Sequence, residues 1–250
     1  MNKIFGLLAA FVVTTGLHAQ TVIIKKDSTV KQLNEVNVTS KYYKIYKLDH
    51  SSNSLKNVTP VLLQPQNIQV IDKSILVDQQ AININESVTR NVSGAMRNNT
   101  ADFYGPFIFM RGAAINTLRN GVDVSMIYYG PTPEDIGIMD RIEFIKGPAG
   151  FVNAIGDPAG SFNVVTKQPT GIPSNRINLT TGSFNLYRVT ADMDGNVDQA
   201  KRWQYRLNLV GQKAKSFQQF AFNDKIVINP NLRYNINAHS FLSAEYIYQK

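Results

Sequence analysis

A glycine-rich stretch near the middle of the chain is the first place where the residue types could support chemistry. Gly147, Gly150, Gly156 and Gly160 lie close together, and glycine-rich loops can present backbone amides to phosphate oxygens. The spacing matches neither GxxxxGK[ST] nor GxGxxG, and no helix-forming stretch follows Gly160. The sequence therefore argues against a phosphate site here.

Other side chains suited to catalysis or metal binding are few. The 250 residues contain no cysteine, and His18, His50 and His239 are the three histidines. Glu134 and Asp135 follow a Thr-Pro pair, an order typical of a helix start with acidic residues near its positive end. We interpret them as helix-end charges. The sequence predicts no catalytic site, no protein-held metal and no cofactor, and hence a protein that is not an enzyme.

Two strands are predicted on either side of the glycine-rich stretch. The β-prone run Ile142–Ile145 stops at Gly147-Pro148, because glycine permits unusual φ angles and proline removes a hydrogen-bond donor. Residues 149–154 are expected to form about one turn of helix, and residues 156–160 to turn the chain again. A second strand over Phe162–Thr166 should then lie close to the first.

The whole stretch resembles a known motif. IEFIKGPAGFVNAIGDPAGSFNVVTKQP is similar to the end of the plug domain of TonB-dependent outer-membrane receptors, which has E-x-x-[KR]-G-P followed by G-x-x-x-P-G-G-x-x-N-x-x-[ST]-K-x-P. Ala159 stands where glycine is more common. FMRGA at 109–113 and RNGV at 119–122 resemble two further plug motifs, and PQNIQVI at 65–71 resembles the siderophore-receptor branch. The resemblance implies an α+β plug domain inside a transmembrane antiparallel β-barrel of about 22 strands.

Composition and the N-terminus indicate the compartment. The chain carries a formal charge of +8, but its basic residues are scattered, which favours a solvated surface and argues against nucleic-acid binding. Asn2-Lys3, the apolar run Ile4–Val13 and Leu17-His18-Ala19 have the order of a secretory signal peptide over residues 1–19. We expect export to the outer membrane of a Gram-negative cell.

Residues 20–58 are polar and predicted to form a flexible periplasmic segment. Within it, residues 33–39 alternate in the manner of an extended strand that could add to another protein's sheet edge. This strand is similar to the TonB box of the family, although a simple linker strand is the alternative. The resemblance implies that a TonB-type periplasmic coupling protein contacts Glu35, Val36, Asn37, Val38 and Thr39.

The predicted plug domain spans residues 59–170. Asn120-Gly121 accepts the positive φ angles of a type I′ turn, so a hairpin is expected there. The other predicted elements are a strand over Ile68–Ile71, a helix capped by Asp72 or Ser74 and reaching Ile82, a helix from Asn85 or Ser87 to Arg90 that stops at Ser93-Gly94, and a strand over Phe107–Gly112.

From Ser174 onward the pattern changes to strict alternation. Apolar residues of the run 187–194 share one face, and Arg188, Thr190, Asp192 and Asp194 share the other. A soluble sandwich could alternate in the same way, but here the runs are about 9 to 11 residues long, as transmembrane strands require. Trp203, Tyr234 and Tyr248 lie near strand ends, where aromatic girdles occur.

Residues 174–250 should therefore form five barrel strands, the first of them running outward. The connections 197–201 and 237–240 are short and 214–224 is longer, which is typical of periplasmic turns and extracellular loops respectively. Five strands cannot close a barrel around a domain of about 100 residues. We expect the chain to be a fragment that carries the signal peptide, the plug and the start of the barrel.

The resemblance implies uptake of a ferric siderophore by a monomeric receptor embedded in outer-membrane lipid. Aromatic and amide side chains suit an oxygen-rich chelate, although the aromatic ones could instead pack against the barrel wall. Cobalamin, haem or an oligosaccharide are alternative solutes, and a non-transporting adhesin barrel is an alternative function. The candidate ligand contacts are Asn99, Phe103, Tyr104, Asn116, Tyr128 and Tyr129.

Two basic residues have a separate implied role. Arg111 and Lys146 match plug positions that pair with barrel carboxylates in receptors of this kind, with lysine replacing one arginine. Because a buried charge left unpaired is costly, such pairs would lock the plug to the barrel. Lysine cannot form the bidentate contact that arginine makes, which weakens the implied role of Lys146.

Overall fold

The computed structural model describes residues 46–52, 55, 59–82, 84–97, 108–124, 135–148, 158–216, 220, 222–237 and 239–250. The predicted signal peptide, the TonB-box-like strand and the helical turn at 149–154 lie outside these residues. Within them, no helix has the length and apolar character needed to cross a membrane.

The described residues form an α+β domain followed by a sheet of long strands. The α+β domain contains two helices and eight strands, and the sheet, which we call the wall, contains six strands. In chain order they are β1 (Asn67–Asp72), α1 (Lys73–Asp78), α2 (Ile84–Asn91), β2 (Ala95–Arg97), β3 (Ile108–Met110), β4 (Ala113–Ala114), β5 (Asn116–Arg119), β6 (Val122–Asp123), β7 (Met139–Lys146), β8 (Gly160–Thr166), β9 (Ser174–Gly182), β10 (Leu186–Asn196), β11 (Trp203–Lys213), β12 (Lys225–Asn235), β13 (Phe241–Glu245) and β14 (Tyr248–Gln249).

The main sheet of the α+β domain has the order β1-β7-β8-β5-β6, in which β5 and β8 are parallel and the other pairs antiparallel. The predicted pairing of the two strands around the glycine-rich stretch is confirmed, with Phe144 opposite Phe162. Gly160 has φ +130°, and a Cβ there would lie 2.3 Å from the carbonyl oxygen of Ile145. Only glycine fits this close approach of the two strands.

Two hairpin turns of the α+β domain have positive φ angles at both central residues. The turn predicted at Asn120-Gly121 is confirmed, with φ angles of 47° and 82°. Arg111-Gly112 forms a second such turn, with φ angles of 54° and 82°, and pairs β3 with β4. The strand predicted over Phe107–Gly112 therefore ends earlier, because the chain reverses after Met110.

Both predicted helices are present with shifted ends. Asp72 caps α1 by accepting a hydrogen bond from the Ser74 amide at 2.8 Å, as predicted. The helix ends at Asp78 and does not reach Ile82, because Gln80 takes a positive φ of 50° and turns the chain. In α2, the start at Ile84 precedes the predicted caps, since Ile84 joins the buried core.

The wall is antiparallel throughout and has the order β13-β12-β11-β10-β9, with β14 also on β12. The predicted alternation is confirmed: Tyr187 is 62% exposed, whereas its neighbour Arg188 is 8% exposed. The outward apolar face carries Ile177, Leu179, Val189, Trp203, Tyr205, Ile226, Ile228 and Leu232, all of them exposed. The inward face lies against the α+β domain.

The predicted fifth wall strand is divided into β13 and β14. Pro230 of β12 lies opposite the gap, and the Tyr246 amide donates to the Pro230 carbonyl at 3.1 Å. Proline has no amide proton to return that hydrogen bond. The side-chain amide of Asn229 donates to the Tyr246 carbonyl at 3.1 Å instead.

The connections of the wall only partly follow the predicted contrast in length. Residues 183–185 form a short connection, yet the Lys215 amide donates to the Phe184 carbonyl at 2.8 Å, so this turn lies at the same end as the longer 214–224 connection. At the opposite end, the rings of Trp203 and Tyr234 lie with centroids 4.6 Å apart. The length contrast therefore depends on 214–224 alone.

One hydrophobic core joins the two parts of the molecule. It contains buried residues of the α+β domain, including Ile138, Phe144 and Phe162, together with Val210 and Val227 of the wall. Burial of apolar side chains is the main favourable contribution to such packing. The α+β domain therefore packs directly on the inner face of the wall.

Candidate functional site

The α+β domain meets the wall at a short 3-10 turn, Ile136–Ile138, which we call the docking turn. Asp135 caps it by accepting a hydrogen bond from the Gly137 amide at 2.7 Å. Gly137 faces Val210 of β11, and a Cβ on Gly137 would lie only 2.6 Å from a Val210 methyl carbon. The absence of a side chain at Gly137 thus permits close contact with the wall.

Val210 and Val227 lie opposite each other on β11 and β12. Both are buried on the inner face of the wall and belong to the core shared with the α+β domain. Nearby inward positions carry polar residues, such as Asn208 and Asn229. The valine pair therefore forms an apolar seat within a mainly polar surface, and the docking turn rests against it.

A buried ionic cluster lies beside this seat. The Asp135 carboxylate accepts from Arg188 through both oxygens, at 2.9 Å for the Nη1 contact, and its Oδ2 lies 3.4 Å from Lys225 Nζ. Arg188 also donates to Gln212 Oε1 at 2.8 Å. Burial by itself raises the pKa of Asp135, but the hydrogen bond and charge of Arg188, with Lys225 and the Gly137 amide, hold it below the usual value. The carboxylate is therefore ionised at neutral pH.

Lys167 connects the docking turn to a second ionic cluster. Its Nζ donates to the Gly137 carbonyl at 2.8 Å and lies 3.0 Å from Asp192 Oδ2 of β10. Its backbone amide donates to the Ile138 carbonyl at 2.9 Å. This one residue, which directly follows β8, contacts both the docking turn and the wall.

The second cluster fixes the chain that leads from β8 into the wall. Arg206 of β11 donates through two nitrogens to Asp192, at 2.8 and 2.9 Å, and through the third to the Gln168 carbonyl at 3.0 Å. Thr170 donates through its hydroxyl to Asp194 at 2.7 Å. Both wall carboxylates therefore have partners in or beside this connection.

A third contact involves Glu245 at the end of β13. Its Oε2 accepts from the Thr166 hydroxyl at 2.9 Å and from the Asn120 amide at 3.3 Å, while its Oε1 accepts from Asn229 at 2.9 Å. Asn120 also donates to the Thr166 hydroxyl at 2.8 Å. The tip of the β5–β6 hairpin is thereby bonded to the wall.

The opposite side of the sheet holds residues 46–52 and Leu55, which we call the strap. Ser52 donates through its amide and, at 2.8 Å, through its hydroxyl to the Glu143 carboxylate of β7. Asn163 of β8 donates to the same carboxylate at 2.9 Å. Leu55 is buried against Ile68 and Ile145.

The two predicted lock residues lie near the end of β7. Arg111 is exposed, and its Nη1 lies 3.1 Å from the position that a Cβ on Gly147 would occupy. Lys146 donates to the Ser93 hydroxyl at 2.8 Å, and burial lowers its pKa. Neither forms an ion pair with another of the described residues. Their pairing with barrel carboxylates stays a prediction.

Among the predicted ligand contacts, only Asn116 falls within the described residues. It begins β5, is half-buried and pairs in register with Ser161. Its contact with a ligand stays a prediction. Across the described residues, no group of three or more His, Asp or Glu side chains is placed to hold a metal ion. Asn99, Phe103, Tyr104, Tyr128 and Tyr129 lie outside the described part, as do Glu35–Thr39.

The ionic cluster at Asp135 was missed by reasoning from sequence. Asp135 does act at a helix end, as predicted for it and Glu134, but it also binds the wall through Arg188 and Lys225. Glu134 lies outside the described residues. A signal was present: Val210 and Val227 interrupt the polar face of the predicted strands, which indicates a place where something apolar docks.

Comparison with known proteins identifies this arrangement. Residues 60–161 match the model of the TonB-dependent receptor plug domain. The metal-pseudopaline receptor CntO of Pseudomonas aeruginosa is 27% identical over 80% of the chain and 28% of the relative's length. The ferrichrome outer membrane transporter/phage receptor of Escherichia coli K12 is 26% identical over 72% of the chain and 25% of its own length. The chain thus spans less than a third of these relatives.

A solved structure extends the match to three dimensions. The closed form of the ferric-catecholate import receptor Fiu from E. coli K12 superimposes with a TM-score of 0.72 at 24% identity, over 82% of the chain and 29% of the receptor. That coverage includes more than the residues matched by the plug model. The expected fold is therefore confirmed: the α+β domain is a plug, and the wall is the first part of a barrel.

Proposed function

Because this chain belongs to the TonB-dependent receptors and carries their plug domain, we propose that the receptor containing it imports a ferric siderophore across the outer membrane. The observation that best supports this is the seam between plug and wall. Ionic and hydrogen-bonded contacts hold the plug on the polar inner face, while the outer face is apolar and exposed. Such a division suits a plugged transport pore whose wall faces lipid.

The remaining parts of the proposal follow from the sequence. Residues 1–19 act as a cleaved signal peptide, and residues 33–39 bind a TonB-type coupling protein of the periplasm. The receptor is a monomer in the outer membrane and has no catalytic activity. The solute binds outside the plug, with Asn99, Phe103, Tyr104, Asn116, Tyr128 and Tyr129 as candidate contacts.

The contacts between plug and wall determine how much work is needed to move the plug. A buried ion pair is costly to break once formed, because removal of one partner leaves an uncompensated charge. The Asp135 cluster is buried and Asp192, which pairs with Lys167, is partly buried, so these ion pairs hold the plug against the wall. External work supplied through the N-terminal segment is then needed to move it.

Uptake of an iron chelate tests the function directly. The full-length receptor is expressed in an outer-membrane receptor-deficient strain, and accumulation of ⁵⁵Fe is measured with hydroxamate, catecholate and mixed-ligand siderophores. We expect accumulation with one class and none when the coupling protein is deleted. Uptake of cobalamin, haem or an oligosaccharide instead would reassign the solute, and absence of any coupled uptake would favour an adhesin barrel.

Uptake of a chelate that contains a metal other than iron is a second candidate function. The relative CntO is named a metal-pseudopaline receptor, and that name specifies a metal complex without specifying iron. Parallel uptake measurements with ⁶⁵Zn, ⁶³Ni and ⁵⁵Fe complexes of one chelator class separate the two. Preference for zinc or nickel complexes would select this second function.

A further inference from the structure

Glu143 is a fully buried carboxylate with an unusual set of partners. Its side chain has an exposed fraction of 0%, yet the described residues contain no lysine or arginine in an ion pair with it. Its donors are the Ser52 amide, the Ser52 hydroxyl and the Asn163 amide. A buried charge needs such hydrogen bonds to offset its lost hydration. Two of the three come from the strap.

Other polar contacts of the strap lie on the N-terminal side of Ser52. The Tyr46 hydroxyl donates to Asp78 at 2.7 Å in an exposed contact, and the Val61 amide donates to the Asp49 carbonyl at 2.7 Å. Beyond Ser52, the buried side chain of Leu55 anchors its end. A displacement that begins at the N-terminal side of the strap therefore reaches Ser52 before it reaches the apolar anchor.

From Glu143, hydrogen bonds continue across the sheet toward the wall. Asn163 donates to Glu143, and its Oδ1 accepts from the Gly121 amide at 2.9 Å. Gly121 belongs to the same hairpin turn as Asn120, whose side chain contacts Thr166 and Glu245. A continuous set of contacts thus runs from the strap, through β7 and β8, to the wall.

We propose that Glu143 is a relay residue, which couples the bound state of the strap to the attachment of the β5–β6 hairpin on the wall. With the strap in place, Ser52 and the Asn163 side-chain amide share the donation to Glu143, while the Asn163 Oδ1 accepts from the Gly121 amide. When the strap is withdrawn, Glu143 loses both Ser52 donors, so the Asn163 amide shifts toward the carboxylate and its Oδ1 moves away from the Gly121 amide. The hairpin turn at Asn120-Gly121 then loosens from Glu245. This inference rests on the proposed function, in which force arrives from the N-terminal side.

Hydrogen–deuterium exchange of the full-length receptor in detergent tests the relay. The variants are Ser52→Ala, which removes the hydroxyl donor, Glu143→Gln, which removes the charge, and Ser52→Thr, which keeps both donors. We expect Ser52→Ala and Glu143→Gln to raise exchange at least tenfold in residues 46–55 and also in residues 116–123. Ser52→Thr should exchange like the wild type.

A matched control removes a strap contact that is not part of the relay. Tyr46→Phe deletes the hydrogen bond to Asp78, and faster exchange is expected only near residue 46. If Ser52→Ala or Glu143→Gln accelerates exchange in the strap but leaves residues 116–123 unchanged, Glu143 is a local anchor and the relay is refuted. Should Glu143→Gln not fold, Ser52→Ala alone decides the matter, because it retains the carboxylate.

The test is independent of the transported solute. Exchange is measured without ligand, so an error in the proposed function appears as absent chelate uptake by the wild-type receptor. An error in the relay appears as unchanged exchange at residues 116–123 in a receptor that still transports. The two failures are therefore distinguishable.

Discussion

Two buried carboxylates of the plug are held in opposite ways. Asp135 faces the wall and is paired with two cations, Arg188 and Lys225. Glu143 lies in the middle of the plug sheet and is held by neutral donors from Ser52 and Asn163. Asp135 of the plug is thus held by positive charges of the wall, whereas the charge of Glu143 is offset by uncharged hydrogen-bond donors within the plug.

The difference indicates which side of the plug yields first. Breaking the Asp135 cluster strands two cations and one anion in a buried place, which is strongly unfavourable. Removing the strap from Glu143 strands one anion, and water can then reach it through the space that the strap leaves. The wall side is therefore the stronger attachment and the strap side the weaker one.

Asp135→Asn should have the largest effect, because asparagine keeps the cap of the docking turn but leaves Arg188 and Lys225 without their anion. We expect a loss of about 3 to 5 kcal/mol in the free energy of unfolding of the plug. Urea unfolding of the full-length receptor in detergent measures it. The control Asp49→Asn changes an exposed carboxylate and should have little effect. Equal losses in the two variants would contradict the comparison.

Glu143→Gln should cost less than Asp135→Asn. No cation is left unpaired, and the loss is that of hydrogen bonds to a charged group, about 1.5 to 3 kcal/mol. The same urea measurement applies, and Asp49→Asn again serves as the control. A larger loss than that of Asp135→Asn would reverse the assignment of the stronger attachment.

Gly137→Ala tests the closeness of the docking turn to the wall. The added methyl carbon would lie 2.6 Å from Val210 and 3.0 Å from Asp135 Oδ1, so the turn must move, at a cost of about 1 to 3 kcal/mol. Val210→Ala in the same chain removes the obstructing methyl groups and should recover part of the loss. A double-mutant cycle on thermal unfolding reports this coupling; strict additivity would argue against direct contact.

The smallest effect is expected from mild acidification. The pKa of Asp135 is lowered in the folded state, so its contribution to stability is fully present above the unfolded value of 3.8 and is lost as pH falls through the lower folded value. The difference in Tm between wild type and Asp135→Asn should therefore stay constant from about pH 7 to pH 5 and shrink below about pH 4. Convergence of the two Tm values already at about pH 5 would contradict this.

Much of the fold was predictable because its signals are local. Alternation defined both faces of β10, β11 and β12, and the Asn120-Gly121 turn follows from the φ angles that these residues accept. Local patterns do not say which residue of one strand pairs with which residue of the next, however. The division of the last strand opposite Pro230 could therefore be found only once the register was known.

The site was less predictable, since its contacts join residues far apart in sequence. Asp135 has the local signature of a cap, and nothing near it in sequence indicates Arg188 as a partner. Glu143, Asn163 and Lys167 were recognised as parts of a motif, but their roles require positions in space. The roles assigned by resemblance to Arg111 and Lys146 stay predictions.

The chain between β8 and β9 limits how far the plug can move from the wall. Only residues 167–173 separate the last plug strand from the first wall strand, and even fully extended they span roughly 25 Å. The C-terminal end of the plug is thus tied by a short connection to the first strand of the wall. Under the proposed function, this end stays beside the wall while the rest of the plug rearranges, so the plug can return to its place without diffusing away.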